Sequence, residues 1–174
     1  MEATDERPMN APEQDPTDAG DAPGPGTVDA GDRQVVDAAA VIEALARRDR
    51  QGDAPPPVDL ETIHERARLA AKAASDVKGE DVKILDMHEL VTYIDFLVLS
   101  TGRNVRLTKR IAEEVAFKLK QAYGILPAGR EGLGGGEWIL LDYLDFMVHV
   151  FTPEAREFYR LDVLWKRAPV ETIE

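Results

Sequence analysis

The sequence predicts an α/β fold: a single domain of residues 58–174, preceded by a disordered N-terminal tail of residues 1–57. In the domain, short apolar runs rich in β-branched and aromatic residues alternate with longer segments whose apolar residues repeat at helical spacing. The first pattern is typical of strands and the second of helices. Their order along the chain predicts a mixed sheet of four to five strands flanked by helices.

The tail differs from the domain in composition. Residues 1–57 hold eight of the 11 prolines, and their 13 acidic and 5 basic side chains give a net charge of −8. A segment with few large apolar residues and a high net charge cannot bury enough surface to offset the entropy of the chain. We therefore expect disorder here, with a short conditional helix within residues 34–50, where Val35, Ile42 and Leu45 are roughly helically spaced.

The domain begins with a predicted helix over residues 59–76, for which Asp59 is a suitable N-cap. Small residues dominate its apolar stripe, which favours close packing on a sheet. Strands are predicted at 82–87 and 95–100. The second of these is a near-continuous apolar run, as expected for a central strand.

A second helix is predicted over residues 105–123. Asn104 is its expected N-cap and Gly124 its expected end. Four apolar residues form its buried face: Ile111, Val115, Leu119 and Ala122. The basic residues are expected on the solvated face: Arg106, Lys109, Arg110, Lys118 and Lys120.

The last third of the domain contains a predicted hairpin. Apolar runs at 138–141 and 146–151 are joined by four residues, a link short enough to make the two strands antiparallel. A loop over 125–136 precedes them, with a short edge strand expected near 126–128. A final helix is predicted over 154–165, with Phe158, Leu161 and Trp165 on one side.

Composition excludes several classes of function. The chain has no cysteine, which removes disulfides and thiolate metal sites and fits a reducing, cytoplasmic location. We find neither a signal-peptide pattern nor an apolar run long enough to span a membrane. The net charge of −12 disfavours direct, sequence-specific contact with nucleic acid and favours a basic protein partner.

The link of the hairpin carries the main candidate site. Asp142, Tyr143 and Asp145 are expected at one end of the sheet, as either an acidic active site or an acidic docking edge. Trp138 flanks the same hairpin and follows a glycine-rich segment, so we expect it to be exposed. Exposed aromatic residues beside carboxylates are typical of protein interface hot spots.

The alternative is a metal-dependent nucleotidyltransferase. The turn over residues 100–103 would hold a phosphate, and Asp142 with Asp145 would hold a metal. No closely spaced Asp-x-Asp pair supports this, and ordinary helix capping accounts for the turn. The glycines of residues 132–136 precede a strand, not a helix, which disfavours a dinucleotide loop. The three histidines are scattered, so neither a metal site nor a cofactor is expected.

Several segments together resemble one known family. They are residues 81–86, 95–102, 106, 111–112, 131–132, 138–143, 145–151, 158–161 and 164–165. Residues 58–170 are similar in these segments to the ribosomal silencing factors, the Iojap-like proteins of bacteria and organelles. The resemblance covers the predicted domain and none of the tail.

The resemblance implies an α/β fold related in shape to nucleotidyltransferases, without demonstrated catalysis. It implies binding to the large ribosomal subunit through its protein fourteen, which blocks joining of the small subunit and represses translation under nutrient limitation. Trp138 and Tyr143 would be contact residues, with Glu131, Asp142 and Asp145 near them. Family members often self-associate, so the resemblance also allows a homodimer.

Overall fold

The structure, a computed structural model, describes residues 57–174. Its helices are α1 (Leu60–Asp76), α2 (Val105–Tyr123), α3 (Pro153–Tyr159) and α4 (Leu161–Leu164). Its strands are β1 (Glu80–Asp86), β2 (Phe96–Thr101), β3 (Gly129–Glu131), β4 (Trp138–Asp142), β5 (Phe146–Phe151) and β6 (Val170–Ile173). Apart from Pro57, the predicted tail and its conditional helix lie outside the described residues.

The strands form one mixed sheet in the order β3-β4-β5-β2-β1-β6. Only β2 and β5 pair in parallel, and β4 and β5 form the predicted antiparallel hairpin. The α/β class is thus confirmed, but the sheet has six strands instead of four to five. The strand that was missed, β6, has only two apolar residues in four and takes its position from antiparallel pairing with β1.

Helices α1 and α2 cover one face of the sheet, here called the first face. Ala67, Ala70 and Ala74 of α1 are fully buried, and their small size allows the helix to approach closely. Both predicted N-caps are confirmed: Asp59 accepts a hydrogen bond from the Thr62 amide, and Asn104 from the Leu107 amide, each at 2.9 Å. Gly124 ends α2 in the left-handed conformation, as predicted.

The opposite, second face is covered by less regular structure. The helix predicted over 154–165 is in fact two short helices, because Arg160 between them is left-handed, with φ of 49°. The break lets Leu161 be buried against the sheet while Phe158 stays 44% exposed. No helix among the described residues is long and apolar enough to cross a membrane.

The glycine-rich loop between β3 and β4 is tightly packed at two positions. Gly132 and Gly136 have φ of 77° and 80°, in the region that favours glycine. The Gly136 amide donates to the Gly132 carbonyl at 2.8 Å, and the Thr108 hydroxyl of α2 donates to the Gly136 carbonyl. These contacts hold the loop against α2.

We predict that Gly132→Ala destabilises the protein by about 2 kcal/mol or more, because left-handed backbone strain adds to overpacking. A Cβ at this position would overlap the Trp138 carbonyl oxygen. Gly134→Ala is the matched control, since a Cβ there meets no atom within 4 Å. Urea unfolding of both variants checks the prediction, and equal free energies of unfolding would contradict it.

Candidate functional site

The structure separates the residues that the sequence placed together. Trp138 begins β4, whereas the acidic link follows the end of that strand at Asp142. Four residue steps along a strand span about 13 Å. The expectation that one turn presents the indole, the phenol and the carboxylates together is therefore wrong.

Trp138 and Tyr143 also lie on opposite faces of the sheet. Trp138 packs against the cluster on the second face, and Tyr143 belongs to the core under α1 and α2. The Tyr143 ring stacks on Phe146 at 4.9 Å between centroids. A single flat partner surface cannot contact both rings.

Asp142 and Tyr143 are buried, being 3% and 7% exposed, so the predicted outward display of these two side chains is wrong. Asp142 Oδ1 accepts a hydrogen bond from the Leu144 amide at 2.8 Å. This bond stabilises the turn, in which Leu144 has a positive φ of 73°. Burial raises the pKa of Tyr143 to about 12, against a smaller opposing effect of Arg130. Both side chains are therefore part of the interior of the turn and are not displayed on its surface.

The other two predicted acids are more accessible. Asp145 is half-buried in the turn, where its carbonyl accepts the Asp95 amide at 2.7 Å. Glu131 is exposed and pairs in register with Leu140, which faces the second face. Since paired residues project to the same side, Glu131 shares its face with Trp138.

The residues of the nucleotidyltransferase alternative lie at opposite ends of the sheet. In the parallel β2–β5 pair, Phe96 lies beside Phe146 and Thr101 beside Phe151. The turn over 100–103 is therefore about 17 Å along the strands from the acidic link. Within residues 57–174, no group of three or more His, Asp or Glu side chains could hold a metal ion. This arrangement does not assemble the phosphate and metal site that the alternative requires.

An aromatic cluster occupies the edge of the second face where β5 ends. Trp138 lies 4.2 Å from Tyr159 and 5.6 Å from Phe151 between ring centroids, and Phe158 meets Tyr159 edge-on at 5.0 Å. We call Trp138, Phe158 and Tyr159 the aromatic platform. Phe158 is exposed, Tyr159 and Trp138 are half-buried, and the fully buried Phe151 lies beneath them.

His149 fixes the orientation of Trp138. The indole Nε1 donates to His149 Nδ1 at 3.0 Å, and the two rings stack at 5.8 Å. Burial, and to a lesser extent the nearby Arg156, lowers the pKa of His149 to about 3. The imidazole is therefore neutral at physiological pH and keeps an acceptor for the indole N–H.

Three exposed carboxylates lie next to the aromatic platform along the chain, and one of them, Glu157, pairs with Arg160 at 3.2 Å. Glu137 precedes Trp138, and Glu154 and Glu157 lie on α3 beside Phe158. We call these three residues the acidic rim. An apolar centre with a polar rim is the usual make-up of a protein interface. Sequence reasoning missed Phe158 and Tyr159 as site residues, although their adjacency just after a strand and Pro153 was a usable signal.

The chain was compared with known proteins. A family model described as "Ribosomal silencing factor during starvation" matches residues 60–174. The ribosomal silencing factor of Chromobacterium violaceum is 39% identical over 103 residues, which is 59% of this chain and 84% of that protein. The ribosomal silencing factor of Halalkalibacterium halodurans is 34% identical over 110 residues, which is 63% of this chain and 93% of that protein.

A solved structure shares the fold of this chain. The crystal structure of a Chromobacterium violaceum protein superposes with a TM-score of 0.58 at 38% sequence identity. The superposition covers 60% of this chain and 86% of that chain. The fold described above is therefore shared with this protein.

We predict that His149 makes the protein less stable in acid. The unfolded histidine binds a proton below its ordinary pKa near 6.5, whereas the folded one does so only near 3. Between these values the unfolded state binds one proton more, so the free energy of unfolding falls by about 1.4 kcal/mol for each pH unit as pH falls. His149→Gln keeps an acceptor for the indole and removes this dependence.

Urea unfolding at several pH values, for wild type and His149→Gln, checks this prediction. His88→Gln is the control, since the Asp86 carboxylate accepts a hydrogen bond from the His88 ring and raises the pKa of His88. The stabilisation from His88 is therefore present in acid and lost as pH rises. Its effect on the free energy of unfolding has the opposite pH dependence to that of His149. Parallel pH profiles for wild type and His149→Gln would refute the assignment.

Proposed function

The chain belongs to the ribosomal silencing factor family, and we propose that it binds the large ribosomal subunit through ribosomal protein fourteen. Bound there, the domain blocks joining of the small subunit and represses translation under nutrient limitation. A ribosomal partner also fits a cytoplasmic location.

The observation that carries the proposal is the aromatic platform with its acidic rim. Trp138 is held by a hydrogen bond and by stacking, so little side-chain entropy remains to be lost on binding. Tryptophan and tyrosine are the residues most enriched in hot spots. The carboxylates of the rim complement a basic ribosomal protein and accelerate association at low salt.

Both short helices also carry exposed apolar side chains. Phe158 of α3 is 44% exposed, and Val163 and Leu164 of α4 are 58% and 45% exposed. A stable interface needs about 1,200 Å² or more of total buried surface. Blocking by occupancy requires only such an interface and a body that clashes with the incoming subunit, without chemical transformation.

The five residues predicted for this interface take different roles in the proposal. Trp138 is the direct anchor, and Glu131 adds charge on the same face of the sheet. Asp145 lies in the hairpin turn at the far end of β4. Asp142 and Tyr143 act indirectly, because they are buried and hold that turn in shape.

We predict that Trp138→Ala weakens binding to large subunits, and to isolated protein fourteen, by about 2 kcal/mol or more, or roughly 30-fold, as expected for a hot-spot truncation. Phe117→Ala is the control, because Phe117 is 55% exposed but lies on α2, on the opposite side of the sheet from Trp138. Cosedimentation with purified subunits measures both. Wild-type affinity of Trp138→Ala would contradict the proposed surface.

We predict that Tyr143→Phe leaves subunit binding unchanged. The phenol oxygen is buried and has no hydrogen-bond partner within the described residues, so its removal alters no accessible surface. The same cosedimentation assay applies. A tenfold loss of affinity would restore Tyr143 as a contact residue.

A further inference from the structure

A group of cations lies where α2 begins. It consists of Arg103 in the preceding turn, Arg106 and Lys109 in the first turns of the helix, and Arg110. We call these four residues the basic corner. Three of them, with Glu113, line a concavity of about 440 Å³: Arg106, Lys109 and Arg110. In a chain of net charge −12, such a local excess of positive charge requires an explanation.

The charges of the basic corner are poorly neutralised. Arg103 and Arg106 form no ion pair with any described residue. Among residues 57–174, Arg110 forms one ion pair, with Glu114 at 3.6 Å, and 62% of its side chain is exposed. Exposed pairs at this helical spacing contribute only a few tenths of a kcal/mol. The four cations outnumber the two carboxylates beside them, Glu113 and Glu114, so the corner keeps a net positive charge toward solvent.

The basic corner does not serve the stability of α2. Cations near a helix N-terminus oppose the helix dipole, and the first turn of α2 contains no acidic residue to offset Arg106. Arg106 and Arg110 are exposed and so contribute little to packing. A binding role accounts for the charge better than a folding role.

The loop between β3 and β4 connects the basic corner to the aromatic platform. Lys109 Nζ donates to the Gly134 carbonyl at 3.0 Å, in the loop that leads to Trp138. A Cβ at Gly136 would lie 2.6 Å from Val105 and 2.7 Å from Lys109, so this loop packs directly on the first turns of α2. When a partner binds at Trp138, the molecules next to that partner therefore lie close to the basic corner.

We propose that the basic corner contacts the phosphate backbone of ribosomal RNA beside protein fourteen. This inference rests on the proposed function. Residues three and four apart on a helix lie about 5–6 Å from each other, so the cations can reach separate phosphates along a strand. Arginine guanidinium groups also bind phosphate with two parallel hydrogen bonds. The contact reads charge and not base sequence.

The net charge of −12 does not prevent this contact. Net charge predicts repulsion from nucleic acid, but screening limits each charge to about 8–10 Å at physiological salt. Within that distance the RNA meets mainly the corner. The carboxylates of the rim, on the other side of the sheet edge, meet the basic protein.

The test uses the double variant Arg106→Gln/Arg110→Gln in the full chain. Lys118→Gln/Lys120→Gln is the control, because it removes the same charge from the same helix about 15 Å farther along. Binding of each protein to large subunits is measured by cosedimentation over a monovalent salt series at constant magnesium. Binding to isolated protein fourteen is measured under the same conditions.

We expect Arg106→Gln/Arg110→Gln to bind large subunits at least about tenfold more weakly at about 0.1 M salt, with a slope of log K against log salt shallower by about 1.4–1.8. Its affinity for isolated protein fourteen should equal that of wild type, and the control should match wild type in both assays. Wild-type affinity and slope on subunits, an equal loss on isolated protein fourteen, or an equal effect in the control would overturn the inference. Failure of the wild-type chain to bind either target would instead overturn the proposed function.

Discussion

Parallel pairing of β2 with β5 is the constraint on which the remaining structure depends. It joins residues 96–101 to residues 146–151 and continues beyond the strands through hydrogen bonds from the Gly102 amide to Phe151 and from the Asp95 amide to Asp145. Because the strands are parallel, both end at the same edge of the sheet. Helices α2 and α3 begin there, and Trp138 pairs with Phe151 beside them. The basic corner and the aromatic platform are neighbours for this reason.

A polar network centred on the buried Arg156 holds the short helices of the second face. Helices of seven and four residues are not stable alone. Arg156 of α3 binds Asp162 of α4 at 3.2 Å and Asp81 of β1 at 3.0 Å, and Lys83 adds a contact to each carboxylate. Burial would raise the pKa of Asp162, but the cations outweigh it and hold that pKa below its ordinary value. The network fixes α3, and with it Phe158 and Tyr159, against the sheet.

The net charge of this domain does not show where its acidic and basic residues lie. Acidic residues border the aromatic platform, and basic residues gather where α2 begins. A ribosomal surface presents both basic protein and anionic RNA, so a bipolar edge suits it better than a uniformly acidic one. Such complementarity chiefly governs the association rate and the choice of partner, while the buried aromatic contact supplies most of the affinity.

The sequence by itself determined the features that depend on neighbouring residues: the caps at Asp59 and Asn104, the end of α2 at Gly124, the β4–β5 hairpin and the family resemblance. Only the tertiary structure decided the position of β6, the break at Arg160, and the packing of Tyr159 against Trp138. Capping and periodicity involve residues a few positions apart, so local patterns report them. Strand order, and the side chains that share an exposed edge, follow from pairing between segments about 50 residues apart, for which the sequence carries no local signal.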